Sequence, residues 1–96
     1  MIRTALAAAV LTGALVAPAA AAPPITCGRI SYGGQRYVVK THGPSCTTAI
    51  KGVKGFMAHH TSPRYYRCKR YGADIPAYCI GAIEKYKRRY FFASKG

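Results

Sequence analysis

Carboxylate side chains are scarce in this 96-residue sequence. It contains only two acidic residues, Asp74 and Glu84, against 15 lysines and arginines. A typical glycoside hydrolase needs a pair of carboxyl groups that flank the scissile bond. Two acids ten positions apart, with no others, nearly exclude such a pair. The same scarcity leaves most cations without an intramolecular partner, and the formal net charge is +13 at pH 7.

Several motifs for catalysis and metal binding are also missing. The sequence has no Gly-x-Ser-x-Gly turn and no His-Glu-x-x-His helix. It has no Cys-x-x-Cys spacing, which argues against both a zinc site and a redox motif. His59 and His60 are adjacent, and adjacent helical residues point about 100° apart, so they cannot act as an i,i+4 ligand pair. We therefore predict no metal and no cofactor.

Long apolar runs are absent after the first 22 residues. Those residues contain one cation, Arg3, then an apolar run over 5–17 and a stretch of alanines, which is the pattern of a secretory signal peptide. The run has about a dozen residues, whereas a bilayer span takes roughly 20. We predict a signal peptide over 1–21, cleaved between residues 19 and 22, and a single basic domain over 22–96. The alternative is an uncleaved membrane anchor.

Four cysteines are present, and their even number in a chain predicted to be exported indicates two disulfides. A domain of about 75 residues buries only about 60% of its unfolded surface, so such crosslinks matter for stability. Sequential pairing, Cys27 with Cys46 and Cys68 with Cys79, is slightly favoured, and each bond would contribute about 3 kcal/mol. Four cysteines allow three connectivities, so nested pairing, Cys27 with Cys79 and Cys46 with Cys68, and the third possible pairing both stay open.

The first part of the domain predicts a β-hairpin. Residues 25–30 are rich in β-branched side chains, and residues 31–34 end in Gly33-Gly34, which accept the positive φ of a tight turn. Residues 35–41 alternate, with Tyr37 and Val39 on one face.

Residues 45–60 predict an amphipathic helix that begins after Ser45, whose side chain can cap an unpaired amide of the first turn. Gly52 and Gly55 each cost about 1 kcal/mol relative to alanine, so this helix depends on packing against the sheet. The residues predicted to face the sheet recur at three- and four-residue spacing: Cys46, Ala49, Ile50, Val53, Met57 and His60.

The rest of the chain predicts two or three further strands. In residues 64–71, Cys68 marks the inward face, which leaves Tyr65, Arg67 and Lys69 pointing outward. Residues 77–80 predict a short strand. Residues 83–92 fit a helical period, yet 88–93 also fits an aromatic edge strand, and we favour the strand.

These elements predict an α+β domain with one helix, over about 45–60, packed on an antiparallel sheet of four to five short strands. The motifs Cys27-Gly28, Ser45-Cys46 and Tyr65-x-x-Cys68, followed by Cys79, resemble small secreted four-cysteine proteins of bacteria. Those proteins often carry tryptophan before the third cysteine, where this chain has Tyr66-Arg67. The resemblance implies export, disulfides and fold, and it implies no particular activity.

The charge predicts an anionic partner, because a small, densely cationic body attracts polyanions from a Debye length away. We predict a secreted monomer, extracellular or periplasmic, that binds an anionic polymer or surface. Wall polymers, lipopolysaccharide and nucleic acid all fit. The predicted binding residues combine cations with a tyrosine that could stack on a ring: Tyr65, Arg67, Lys69, Arg70, Lys85, Lys87, Arg88 and Arg89.

Two other classes of function stay open. A membrane-active antimicrobial protein would attract anionic lipid and insert Phe91 and Phe92 into the interface. A small secreted ribonuclease would need two groups of matched pKa close together. The candidate groups are His42, His59, His60 and Glu84. Nothing in their spacing brings two of them together, so an enzyme is less favoured.

Overall fold

A computed structural model describes residues 23–96 as one helix packed on a five-stranded sheet. The predicted α+β class and the single long helix are confirmed. The predicted signal peptide and its cleavage site lie outside the described residues. The elements, in chain order, are β1 (Ile25–Tyr32), β2 (Gln35–His42), α1 (Cys46–His59), β3 (Tyr66–Tyr71), β4 (Ile75–Gly81), a short 3-10 turn (Glu84–Tyr86) and β5 (Tyr90–Lys95).

The five strands are antiparallel and lie in the order β1-β2-β5-β4-β3. The strand prediction for the last segment is confirmed, but its placement at an edge is wrong. β5 lies in the centre, because Ala93 pairs with Val39 of β2 on one side and with Ala77 of β4 on the other. Its small and apolar inward residues suit a strand with a neighbour on each side.

Helix α1 begins and ends as its sequence predicts. The hydroxyl oxygen of Ser45 accepts a hydrogen bond from the backbone amide of Thr48 at 3.2 Å. At the other end, His60 adopts a left-handed conformation, and its amide donates to the carbonyl oxygen of Phe56 at 2.8 Å. A residue at this position lies outside the helix, so His60 is exposed and does not reach the core.

The helix covers one face of the sheet, and the core lies between them. Ala49 and Val53 of the helix are fully buried, as are Val39, Phe91 and other inward residues of the three central strands. Gly52 permits this close approach: a Cβ atom there would lie 2.7 Å from the Phe91 ring. The domain therefore buries its apolar side chains on one face of the sheet only.

Two disulfides connect these elements, and they follow the sequential pairing. Cys27–Cys46 links an irregularity in β1 to the first turn of the helix. Cys68–Cys79 joins directly opposed positions of β3 and β4 beneath the helix. Both loops are short, with sequence separations of 19 and 11, so each bond staples neighbouring elements.

Candidate functional site

The second face of the sheet, called the open face here, carries the candidate site. Side chains alternate along a strand, so the neighbours of the buried residues Val39, Phe91 and Cys79 point away from the helix. Within residues 23–96, no helix or second sheet covers these outward side chains. Ile80, for example, lies next to buried Cys79 and is 46% exposed.

Three aromatic side chains, called the aromatic row here, form a compact cluster at the centre of the open face, with each ring close to the other two. Tyr78 of β4 lies opposite Phe92 of β5, with ring centroids 5.3 Å apart and planes inclined by 11°. Tyr90 is nearly parallel to both, at 5.9 Å from Tyr78 and 6.3 Å from Phe92. His42 of β2 extends the row, because its ring stacks on Tyr90 at 5.3 Å. These four rings share nearly one orientation.

Cations border this aromatic row on both sides. One cross-strand line runs from Lys40 on β2 through Phe92 and Tyr78 to Lys69 on β3. A second line places Arg67 opposite Ile80 on the β3 side. On the opposite side of the row, Arg29 of β1 and Arg36 near the start of β2 extend the basic border. Strand alternation places five cations on this face, and Arg88 lines a groove there. The six are Arg29, Arg36, Lys40, Arg67, Lys69 and Arg88.

Two shallow grooves bring cations and rings together. One, of about 180 Å³, is lined by Arg67, Lys69 and Tyr71 with Tyr78 and Ile80. The second lies at the end of the sheet, where Arg88 joins His42 and Tyr90, and it holds about 510 Å³. An extended chain could therefore contact positive charge and aromatic surface at the same time.

The two carboxylates lie elsewhere. Asp74 belongs to the turn between β3 and β4, and Glu84 belongs to the 3-10 turn. Glu84 pairs with Lys87 at 3.1 Å, and both side chains are largely exposed, so this ion pair contributes little to stability. No acid lies in a strand of the described chain, so the charges that the strands bring to the open face are all positive.

Tyr78 is the titratable group that this surface perturbs most clearly. Partial burial raises the pKa of its phenol above the usual 10.0, and the nearby phenols of Tyr90 and Tyr71 raise it further. Burial disfavours the phenolate because the charged form loses hydration. The hydroxyl therefore stays protonated at neutral pH and offers a hydrogen-bond donor at the rim of the aromatic row.

The structure brings three of the eight predicted binding residues together on the open face. Arg67 and Lys69 point outward from β3, as the position of Cys68 indicated, and Arg88 lies in the turn before β5 begins. Lys87 lines the same terminal groove, although its ammonium group pairs with Glu84.

Three others surround Tyr86, and of these only Arg89 also lines the terminal groove of the open face. Arg89 lies over the Tyr86 ring at 4.6 Å, and Lys85 lies over it at 5.7 Å. Tyr65 contacts the edge of the same ring at 5.7 Å. The prediction that Tyr65 is an outward strand residue is wrong, because its φ of 71° interrupts the extended chain and β3 begins only at Tyr66.

Arg70 lies on the side of the sheet that faces the helix. Alternation places it with Cys68, and it lines a groove with Tyr37, Phe56 and Met57. It therefore stands apart from the other predicted binding residues.

Sequence reasoning missed the centre of the open face. Lys40, Tyr78, Tyr90 and Phe92 were not among the predicted binding residues. A signal was present in β4, because Cys79 marks the inward face and thereby makes Tyr78 outward, as Cys68 does for Arg67. No comparable local signal indicates that Lys40 meets these rings, since β2 and β5 lie far apart in sequence.

The residues behind the two alternative functions are dispersed. Phe91, which a membrane-inserting surface would need to expose, is fully buried. His42 lies on the open face, whereas His59 and His60 lie at the end of the helix. Glu84 belongs to the 3-10 turn and pairs with Lys87. The geometry thus assembles no general acid and base pair from these four groups.

Comparisons with known proteins return no match for this chain among protein-family models, curated proteins or solved structures. Among residues 23–96, no group of three or more His, Cys, Asp or Glu side chains could hold a metal ion. No helix in that same range is both long and apolar enough to span a membrane.

Proposed function

We propose that this protein binds anionic polymers on the open face of its sheet. The observation that carries the proposal is the single sign of charge there: cations border the aromatic row on both sides, and both carboxylates of the domain lie in turns. A polyanion bound at such a surface would release condensed counterions as lysines and arginines replace them.

The partner class follows from geometry as well as from charge. The cations lie along a surface several strands wide and not in an enclosed cavity, which suits an extended polymer more than a small ion. The charges are also unpaired: within the described chain, the one ion pair is Lys87 with Glu84. An incoming anion therefore displaces an internal partner only at Lys87, which lines the terminal groove.

The proposed compartment is extracellular or periplasmic. Two disulfides fit an oxidising environment, where small domains commonly depend on such bonds. The resemblance to small secreted bacterial proteins is consistent with this compartment. An exported protein would meet wall polymers, lipopolysaccharide and extracellular nucleic acid, all of which are polyanions.

The test measures binding of a fluorescently labelled abasic oligomer, a deoxyribose-phosphate chain without bases, over a series of salt concentrations. The oxidised protein is compared with two double variants of equal charge, Arg67→Gln with Lys69→Gln on the open face and Lys51→Gln with Lys54→Gln on the exposed side of the helix. We expect affinity to fall linearly with salt on logarithmic axes, with a slope of roughly 0.7 per phosphate contacted.

The open-face variant should lose roughly 1 to 1.5 from that slope, whereas the helix variant should bind like the wild type. Equal losses in both variants would show that binding follows total charge and not the open face. Absence of binding at low salt would overturn the proposal altogether.

A further inference from the structure

The aromatic row (Tyr78, Tyr90 and Phe92) adds aromatic surface to the open face, which the attraction of a polyanion by charge alone does not require. We infer that the polymer bound there is a single-stranded nucleic acid, whose unpaired bases stack on the row while its phosphates contact the bordering cations. This inference rests on the proposed function and names the partner of the same surface.

The orientation of the rings is the first argument. The planes of the three rings differ by only 6° to 18°, and their centroids lie 5.3 to 6.3 Å apart. Parallel rings at these distances are offset, so each ring covers only part of the next. The remaining surface suits a flat partner that is aromatic on both faces, which describes a nucleobase.

The placement of the cations is the second argument. Lys40 and Lys69 are the two ends of one cross-strand line that contains Phe92 and Tyr78. Strands are about 4.8 Å apart, so three strand spacings separate the two backbones by about 14 Å. A single strand carries one phosphate and one base per nucleotide, and this line offers charge at its borders and rings at its centre.

The other polyanions match these two features less well. A puckered sugar ring offers C–H bonds and not a flat π surface to the aromatic rings, and a polyphosphate chain has no ring to place there. A lipid surface requires apolar side chains that enter its interface. Phe91 is fully buried, and Phe92 stacks against Tyr78 at 5.3 Å and Tyr90 at 6.3 Å. A base-paired duplex hides the faces of its bases within its own stack.

The experiment compares labelled oligothymidylate with the abasic oligomer of the same length, at a salt concentration where both bind. Stacking of even one base is expected to make oligothymidylate roughly tenfold to a hundredfold tighter. The chain has eight tyrosines and no tryptophan, so tyrosine emission can be observed directly. It should be quenched by oligothymidylate and unaffected by the abasic oligomer.

Variants locate the stacking. Tyr78→Leu should abolish the preference for oligothymidylate without weakening the binding of the abasic oligomer. Tyr78→Phe keeps the ring and should retain the preference. Tyr32→Leu is the matched control, because Tyr32 is 43% exposed at the far end of β1 and lies with Phe56 on the helix side. Circular dichroism checks each fold, and Phe92→Leu provides the same test where Tyr78→Leu is unfolded.

The outcomes separate the two proposals. Equal affinity for both oligomers would overturn the inference and leave the proposed function intact, while no binding of either would overturn both. A preference that survives both Leu variants, or is lost equally in Tyr32→Leu, would place the bases elsewhere and contradict the inference. Duplex DNA, or an acidic polysaccharide such as polygalacturonate, binding as tightly as oligothymidylate would also contradict it.

Discussion

The two faces of the sheet are built from the same strands with opposite side-chain chemistry. The helix-covered face uses small or apolar residues such as Val39, Ala77 and Ala93, all fully buried. The open face places lysines, arginines and partly exposed rings at the positions between them. β5 shows the contrast most directly, since Phe91 and Phe92 are identical neighbours in different environments. Position in the alternation, and not residue type, thus decides which phenylalanine stabilises the fold.

The comparison separates stability from binding. Changes on the covered face disturb a packed interior, where lost volume leaves a cavity. Changes on the open face alter a solvated surface that the helix does not touch. We therefore expect the two faces to respond to substitution almost independently.

The largest effect is predicted for Phe91. Phe91→Ala removes a ring that is 0% exposed and contacts Tyr66, and it should lower the free energy of unfolding by about 3–5 kcal/mol. Phe92→Ala removes the same atoms from the open face and should cost only about 1–2 kcal/mol. Urea unfolding of the oxidised proteins measures both values. Equal losses would mean that the open face is part of the core.

A smaller effect is predicted where the helix meets the covered face. A Cβ atom at Gly52 would lie 2.7 Å from Phe91 and 2.9 Å from Pro63, so Gly52→Ala should destabilise by about 1–3 kcal/mol through overpacking. At Gly55, the nearest atom is the Thr61 hydroxyl at 3.6 Å. Gly55→Ala should therefore stabilise by about 1 kcal/mol through helix propensity. Thermal melting compares the pair, and a gain in both variants would contradict the tight contact.

The smallest effect is predicted for the pH dependence of the open face. The pKa of Tyr78 is raised in the folded state, so its contribution to stability is complete below pH 10 and is lost as pH rises through the folded-state value. In a spectrophotometric titration of the phenols, Tyr78 should give a late step above pH 10. Tyr78→Phe should remove that late step and flatten the decline of stability above pH 10. If the late ionisation step persisted in Tyr78→Phe, it would belong to another tyrosine.

Local chemistry in the sequence predicts much of this fold. Ser45 indicates the start of the helix, Gly33-Gly34 indicates the hairpin turn, and Cys68 indicates which side of β3 faces inward. Each of these signals depends on the conformational or packing preference of a few neighbouring residues. They therefore remain valid whatever the order of the strands.

The centre of the candidate site depends on long-range pairing instead. The aromatic row requires β5 to lie between β2 and β4, and nothing local in Tyr90 or Phe92 specifies those partners. The placement of Tyr65 is equally hidden, because a positive φ is uncommon for tyrosine and no glycine marks the break before β3. Cations can be counted in a sequence, but which of them share a surface is a property of the register.

The central position of β5 also has a consequence for the order of folding. β1 pairs only with β2, and β3 pairs only with β4, so these two hairpins share a sheet only through β5. Each disulfide closes a loop within residues that precede β5 in the chain. Pairing of β5 with β2 joins positions such as His42 and Tyr90, and such distant contacts form slowly. During folding the chain can thus hold two separate crosslinked hairpin units before the five-stranded sheet forms.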